Sequence, residues 1–359
     1  MAKKAQGAAF NEPPVFASTF HYAGNLNSDE DKYGRLDNPT WRALEKELEV
    51  LEGGSTLIFP SGMAAVTAAM MPFLQSGDVL ILPSDGYYSV RDYAERYLKA
   101  FCIEVRFVST TEIPNQDLSD VRMICLESPS NPMLDMVDIT SLAENCRSND
   151  TLLVIDNSTV SPLAQQPLSL GADISVCSDS KVINGHSDVI FGHVASKNAE
   201  LLEKLQHWRL SSGSIPGPME TWLVSRGLQT LSLRYQQMMS SAKILAEYFS
   251  SQSAIRMVRY PGLKDDPSFE LASRQMNSPG FIITLDFGTE VLAKTFLDRC
   301  HLIAEATSFG GTHSIAERRA RWGKDDISEG LVRVSVGCEA TDDLLEDVRQ
   351  AIEGLEALA

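Results

Sequence analysis

The sequence predicts an α/β fold, with a mostly parallel sheet in a large domain and a smaller C-terminal α+β domain after it. Three observations carry this. From residue 57 to 195, short apolar runs alternate with segments whose apolar residues recur at helical spacing, the pattern of parallel βαβ units. Near residue 230 the rhythm changes to one long helix followed by well-separated strands. The chain has 359 residues, 43% of them apolar and 22% charged, enough to bury a large core and unlike a disordered segment.

Taken in order, residues 1–38 are rich in Asn, Pro, Gly and aromatics with little periodicity, and read as an extended arm. Asn38-Pro39-Thr40 signals a helix start, the helix runs over 40–51, and Gly53-Gly54 ends it. A short buried strand at 57–59 leads through the turn Pro60-Ser61-Gly62 into a helix over 63–74. Strands follow at 79–82, 104–108, 122–126, 152–155, 174–177 and 189–195, with helices at 90–99 and 139–146. In such sheets ligands bind at the carboxyl ends of the strands. Beyond 230, a long helix over 231–249 precedes strands at 255–259, 281–287 and 332–336. This divides the chain into an arm (1–38), a large domain (39–230) and a small domain (231–359).

The formal net charge of −17 repels phosphate backbones, and Lys3-Lys4 is too short a basic block to reverse that, so nucleic acid is not expected as a partner. The dense run Arg318-Arg319-Ala320-Arg321 is read as pairing with local carboxylates or guarding a pocket for an anionic substrate. Six cysteines are scattered without a CxxC pair, several within apolar runs, which predicts reduced buried thiols and a cytoplasmic location. No apolar signal region is visible in residues 1–10, and the longest apolar stretch, 63–74, is too short to span a membrane. His186 and His193 stand seven apart, which does not suit a helical metal-ligand pair, so no metal is expected.

The chemistry centres on Lys181, which follows the buried strand 174–177 and so sits at a strand's carboxyl end. Ser178 and Ser180 place hydroxyls beside it, and a Gly185-His186-Ser187 turn follows. Asp156 ends the apolar run Leu152-Leu153-Val154-Ile155, where a carboxylate is costly unless paired. A protonated pyridine nitrogen is a suitable partner. With Asp156 on that nitrogen and Lys181 as Schiff-base lysine, a pyridoxal ring becomes an electron sink. Asp156-Asn157-Ser158 suits a helix N-cap equally well. Ser61-Gly62-Met63, opening a helix after a strand, suits a phosphate. No GxGxxG fingerprint or Walker loop is present, which disfavours dinucleotides and nucleoside triphosphates.

Eight segments in order resemble the cystathionine lyase/synthase family, the γ-family of fold-type I PLP-dependent enzymes of cysteine and methionine metabolism. They are Tyr33-Gly34-Arg35 with Asn38-Pro39-Thr40, Leu51-Glu52-Gly53, Ser61-Gly62-Met63-Ala64-Ala65, Glu127-Ser128-Pro129-Ser130-Asn131-Pro132, Asp156-Asn157, Ser178-Asp179-Ser180-Lys181, Asn184-Gly185-His186-Ser187-Asp188 and Ser308-Phe309-Gly310-Gly311. The resemblance implies pyridoxal 5'-phosphate as cofactor, a sulfur-containing amino acid as substrate, and a homotetramer made of two active dimers. It implies that Lys181 binds the cofactor and moves protons, and that Asp156 pairs with the ring nitrogen. Ser61, Gly62, Met63, Ser178 and Ser180 would hold the phosphate, and Tyr33 and Arg35 would reach the phosphate of a neighbouring subunit. Tyr87 would stack on the ring and act as acid or base, with Tyr88 its competitor. Asn131 would contact the ring's hydroxyl side and the substrate. Arg333 would clamp the substrate carboxylate, with Ser308 beside it; its other reading is a surface arginine on an edge strand.

Two departures bear on the substrate. Many γ-acting relatives carry a Glu where this chain has His313, and the stretch Ala316-Glu317-Arg318-Arg319-Ala320-Arg321-Trp322-Gly323 differs from the usual pattern. That stretch resembles a shorter bacterial branch described as cystathionine γ-lyases. His313 either binds a distal carboxylate when protonated or makes a structural hydrogen bond. The expected reaction is cleavage of cystathionine at the γ-carbon. Cystathionine β-lyase, cystathionine γ-synthase and methionine γ-lyase are the alternatives, with a non-catalytic binding protein on the same fold or a transaminase further off.

Overall fold

Helix α1 (Pro39–Glu52) begins where the sequence signals it: the Asn38 side chain accepts from Thr40 N–H at 2.8 Å, Pro39 opens the first turn, and Gly53 closes the helix at φ 67°. This is one element of a computed structural model that describes residues 6–7, 9–24, 30–324 and 326–355. Lys3, Lys4 and parts of the expected arm lie outside the described residues.

The strands are β1 (Ser55–Phe59), β2 (Val79–Pro83), β3 (Glu104–Val108), β4 (Val121–Glu127), β5 (Leu152–Asp156), β6 (Ile174–Cys177) and β7 (Gly192–Ser196), then β8 (Met257–Arg259), β9 (Ile282–Asp286), β10 (Ala304–Glu305), β11 (Ile315–Arg318) and β12 (Leu331–Ser335). The first seven form one sheet in the order β1-β7-β6-β5-β4-β2-β3, in which only β7 runs against its neighbours. The last five form a second sheet, β10-β11-β12-β9-β8, antiparallel apart from the β10–β11 pair. Around them pack α2 (Gly62–Met70), α3 (Tyr88–Tyr93), α4 (Ile139–Ser148), α5 (Ser161–Ala164), α6 (Ala199–Ser212), α7 (Pro218–Leu228), α8 (Leu231–Ser250), α9 (Phe269–Gln275), α10 (Glu290–Arg299) and α11 (Thr341–Ile352).

The near-continuous apolar runs of the first sheet follow from burial on both faces. Leu80 and Leu82 of β2 pack with Phe59, Val66 and Met123 on one face, while Val79 and Ile81 pack with Ile124, Leu126 and Ile155 on the other. A third cluster joins Trp41 and Leu44 of α1 to α8, α10, α11 and the second sheet.

Some boundaries differ from the sequence reading, each for a local reason. Helix α2 stops at Met70, and Pro72 sits in a tighter turn over Met71–Phe73. The expected helix over 90–99 is instead α3 followed by a π-turn over Ala94–Leu98. Strand β7 starts at Gly192, because Val189 and Phe191 are buried as loop residues. Cys125, Cys146 and Cys177 are buried as expected, but Cys102 is exposed and Cys300 and Cys338 are half-buried. The basic run pairs locally: Arg318 with Glu290 and Glu329, Arg319 with Glu317, and Arg321 with Glu305 and Glu317. Among the described residues no helix is long and apolar enough to cross a membrane.

Candidate active site

The carboxyl ends of β2, β4, β5 and β6 converge on the amino end of α2. There Ser61 caps the helix, its hydroxyl accepting from Ala64 N–H at 3.0 Å, which leaves the Gly62 and Met63 N–H groups without intrahelical partners. Gly62 is required by packing: a Cβ there would come within 2.7 Å of the Ser178 hydroxyl, so any side chain would fill the cradle. Ser178 N–H donates to Ser158 Oγ at 2.7 Å. Ser180 is committed to Phe191, donating to its carbonyl at 3.1 Å and accepting from its N–H at 2.8 Å. For Ser180 to donate to a phosphate, its hydroxyl hydrogen must turn from Phe191.

Lys181 extends from this turn, its Nζ donating to Ser308 Oγ at 3.0 Å and lying 5.0 Å from the Phe309 ring centre. Burial, then the nearby Arg333 charge, lowers its pKa from 10.5 to about 8, with Asp156 opposing. Ser308 stands at φ 81°, unusual for a residue with a side chain. Gly310 follows at φ 80°, where a Cβ would meet the Val182 nitrogen at 2.6 Å, so this loop presses directly on the lysine's backbone.

Asp156 ends β5 and accepts from Ser158 N–H at 2.9 Å and Ser158 Oγ at 2.5 Å. Helix α5 begins only at Ser161, after Val160, so Asp156 caps a tight turn rather than a helix. Burial raises its pKa, and the Ser158 hydrogen bonds offset this only in part. Its register neighbour on β4 is Glu127, which burial and then the Asp156 charge push up from 4.5 to about 8. Glu127 also accepts from Tyr87 N–H at 2.7 Å. Tyr87, Glu127 and Asp156 line one cavity with Leu82 and Gly86. Burial raises the Tyr87 phenol. Its competitor Tyr88 is stacked on Trp322, with centroids 6.5 Å apart.

Arg333 reaches this point from the second sheet. Strand β12 lies between β11 and β9 and Arg333 is 3% exposed, so the edge-strand alternative is overturned. Its guanidinium donates to Asn131 Oδ1 at 2.8 Å, Ser308 O at 2.7 Å and Glu317 Oε2 at 3.1 Å. Its Nε is buried with no partner among the described residues. The structure thus brings Lys181, Ser308, Asn131 and Arg333 together. It does not bring His313 or Tyr33 and Arg35 to them. His313 is exposed, with no side-chain hydrogen bond to these residues. Arg35 donates to Leu210 O at 2.9 Å and lies against Tyr33, which is 46% exposed.

Three residues were not singled out from the sequence. Glu127 carried the same signal as Asp156, a carboxylate ending an apolar strand. Phe309 lies under both Lys181 and Arg333, at 5.0 and 5.2 Å. Glu317, fully buried, accepts from Arg319, Arg333 and the Trp322 indole N–H and pairs with Arg321 at 3.2 Å; four arginines within sixteen residues of it were the only hint.

The profile of the family described as Cys/Met metabolism PLP-dependent enzyme matches residues 1–353. The chain belongs to this family. A Streptomyces coelicolor protein provisionally named a cystathionine gamma-lyase is 42% identical over 95% of this chain and 88% of its own. A Bacillus subtilis cystathionine gamma-lyase is 37% identical over 90% of this chain and 89% of its own. The crystal structure of a cystathionine gamma-lyase from Lactobacillus plantarum complexed with L-serine is also similar, with a TM-score of 0.93 at 33% identity, covering 99% of this chain and 97% of that one. This family member is therefore a fold-type I PLP-dependent enzyme of carbon–sulfur chemistry. Its residues fit pyridoxal 5'-phosphate: a cradle that only glycine leaves open, a lysine eased toward neutrality, and a half-buried carboxylate, Asp156, whose hydrogen bonds among the described residues come only from Ser158.

Proposed function

We propose that the protein cleaves cystathionine at its γ-carbon, giving cysteine, 2-oxobutanoate and ammonia. The observation that carries the reading is the convergence of a lysine eased toward neutrality and a buried arginine on one serine, Ser308, whose hydroxyl meets Lys181 and whose carbonyl meets Arg333. The cystathionine gamma-lyase names of the relatives support the choice of bond.

Pyridoxal phosphate, when bound, supplies the sink for negative charge left at the substrate's α-carbon. Lys181 would hold it covalently and Asp156 would keep its ring nitrogen protonated. Gly62, Met63 and Ser178, with Ser61 shaping the turn and Ser180 after reorienting, would hold its phosphate. Tyr87 would cover its face, and Asn131 would serve its hydroxyl side while holding Arg333. Arg333 would fix the substrate carboxylate as a planar fork, assisted by Ser308. Once the substrate's amine has displaced Lys181 from the cofactor, the freed neutral amine would take the proton from Cα and then move one from Cβ as sulfur departs from Cγ. Tyr33 and Arg35, remote from Lys181 in their own chain, would complete a partner's site. We therefore assign 1–38 as a reaching arm, 39–230 as the cofactor-holding domain and 231–359 as the small domain of a cytoplasmic homotetramer.

Incubation with cystathionine tests this directly. The expected keto acid is 2-oxobutanoate with free ammonia. Pyruvate would establish β-cleavage, and condensation of an acylated homoserine with cysteine would establish a synthase. Amine retained on the cofactor would establish transamination, and no turnover of cystathionine, methionine or an acylated homoserine with cysteine would establish a binding protein.

A further inference from the structure

Behind the cofactor lysine lies a buried charge cluster that the proposed reaction does not use. His193, on β7, has Nδ1 2.7 Å from Asp179 Oδ1 and Nε2 2.8 Å from Glu52 Oε1, and all three side chains are fully buried. A neutral imidazole has one N–H and satisfies only one acid, so a carboxylate at each nitrogen calls for the doubly protonated ring. Burial opposes that charge, but Asp179 and Glu52 outweigh it and hold the ring's pKa at about 10. The second oxygens, Asp179 Oδ2 and Glu52 Oε2, have no partner among the described residues, so each acid's side chain is directed wholly at the histidine.

Each end of the clamp leads somewhere. Asp179 stands between Ser178 of the cradle and Ser180, two residues before Lys181. Glu52 is the last residue of α1, where a carboxylate meets the unfavourable end of the helix dipole unless a cation offsets it. The two residues preceding His193 are also engaged: Phe191 holds Ser180 from both its N–H and its carbonyl, and a Cβ on Gly192 would come within 2.7 Å of Ser61 O. The flanking strands bring only Cys177 and Ile58 opposite His193, and the Asp156 charge on β5 interacts with it from further off. Replacing a buried ion cluster by apolar residues is often neutral for stability, so stability alone does not account for this one.

We propose that His193 is a positioning residue for the cofactor: held by Glu52 on one side, it fixes through Asp179 where the segment Ser178–Lys181 meets the cofactor's phosphate and aldehyde. This rests on the reading that Lys181 carries the cofactor. The test uses His193→Leu and Asp179→Asn in the holoprotein, with Phe296→Leu in α10 as a core substitution remote from the site. Borohydride reduction and peptide mapping locate the cofactor, release to hydroxylamine gives its rate of loss, and absorbance against pH reports its surroundings. Melting of the cofactor-free proteins gives the structural baseline. His193→Leu should release the cofactor at least about tenfold faster and displace the absorbance transition. Asp179→Asn, which keeps the acceptor but loses the charge, should fall between it and the parent, and Phe296→Leu should lower the melting temperature alone. The inference is overturned if His193→Leu only melts lower, with release and absorbance as in Phe296→Leu. If His193→Leu does not fold, Asp179→Asn decides on the same two readouts. Label at another lysine sinks the Lys181 reading, whereas label at Lys181 with unchanged release sinks only this inference.

Discussion

The two walls of the cleft handle buried charge in opposite ways. On the seven-stranded sheet, Glu127 and Asp156 sit side by side on adjacent strands, and burial pushes both carboxyls upward. On the five-stranded sheet, Arg319, Arg321 and Arg333 share the single buried carboxylate of Glu317. In the proposed reading, the first wall would be completed by the cofactor's positively charged ring, whereas the second is assembled beforehand, with Arg333 already held by Asn131, Ser308 and Glu317. Cofactor binding and substrate recognition thus differ in how much of the electrostatics the protein supplies in advance.

This contrast can be broken from either side. The largest effect is expected for Lys181→Ala, which should lower turnover about 10⁴-fold and abolish borohydride fixation of the cofactor. Glu317→Ala should lower folding stability by roughly 3–5 kcal/mol in denaturant titrations, because it strands buried guanidinium groups. Asp156→Asn sharpens the comparison: asparagine still accepts from Ser158, so a drop in kcat of about 10²-fold would isolate the charge, while full activity would reduce Asp156 to a turn former. Arg333→Lys should raise KM roughly tenfold with a smaller change in kcat, since an ammonium does not reproduce the fork.

The smallest effects lie in pH. Glu127 in the fold keeps its proton up to about 8, whereas the unfolded chain loses it near 4.5. Its contribution to the cofactor-free protein is therefore complete below 4.5 and declines as pH rises through that window. Melting curves of Glu127→Gln should lack this decline relative to the parent. With Lys181 lowered to about 8, attachment of the cofactor to the cofactor-free protein should speed up with rising pH and level off above that value, rather than continuing to 10.5.

What the sequence revealed depended on whether the determining contact was local. β3 and β6 were bounded to the residue because their alternating or largely apolar runs stop at the polar Ser109 and Ser178. Lys181 and Asp156 were legible because each follows such a run. β11 was hidden, since Glu317 and Arg318 look like surface residues until their partners are known. Helices α6, α7 and α11 also went unassigned, although Asn198 and Gly213 bracket α6 with ordinary caps. The bond between His193 and Glu52 spans 141 positions, and no spacing rule reaches that far. His313 was weighed from a family pattern, but its place in the fold is set by backbone bonds of its neighbours, Thr312 to Gly185 and Cys338 to Thr312.

The shared carboxylate of Glu317 has one further consequence. Three guanidinium groups crowd one point of a chain whose formal net charge is −17. In the proposed reading, that point would act against so negative a background as a focus drawing the anionic end of a small zwitterion inward. Encounter with substrate should then weaken as ionic strength rises, long before any bond to Arg333 is disturbed.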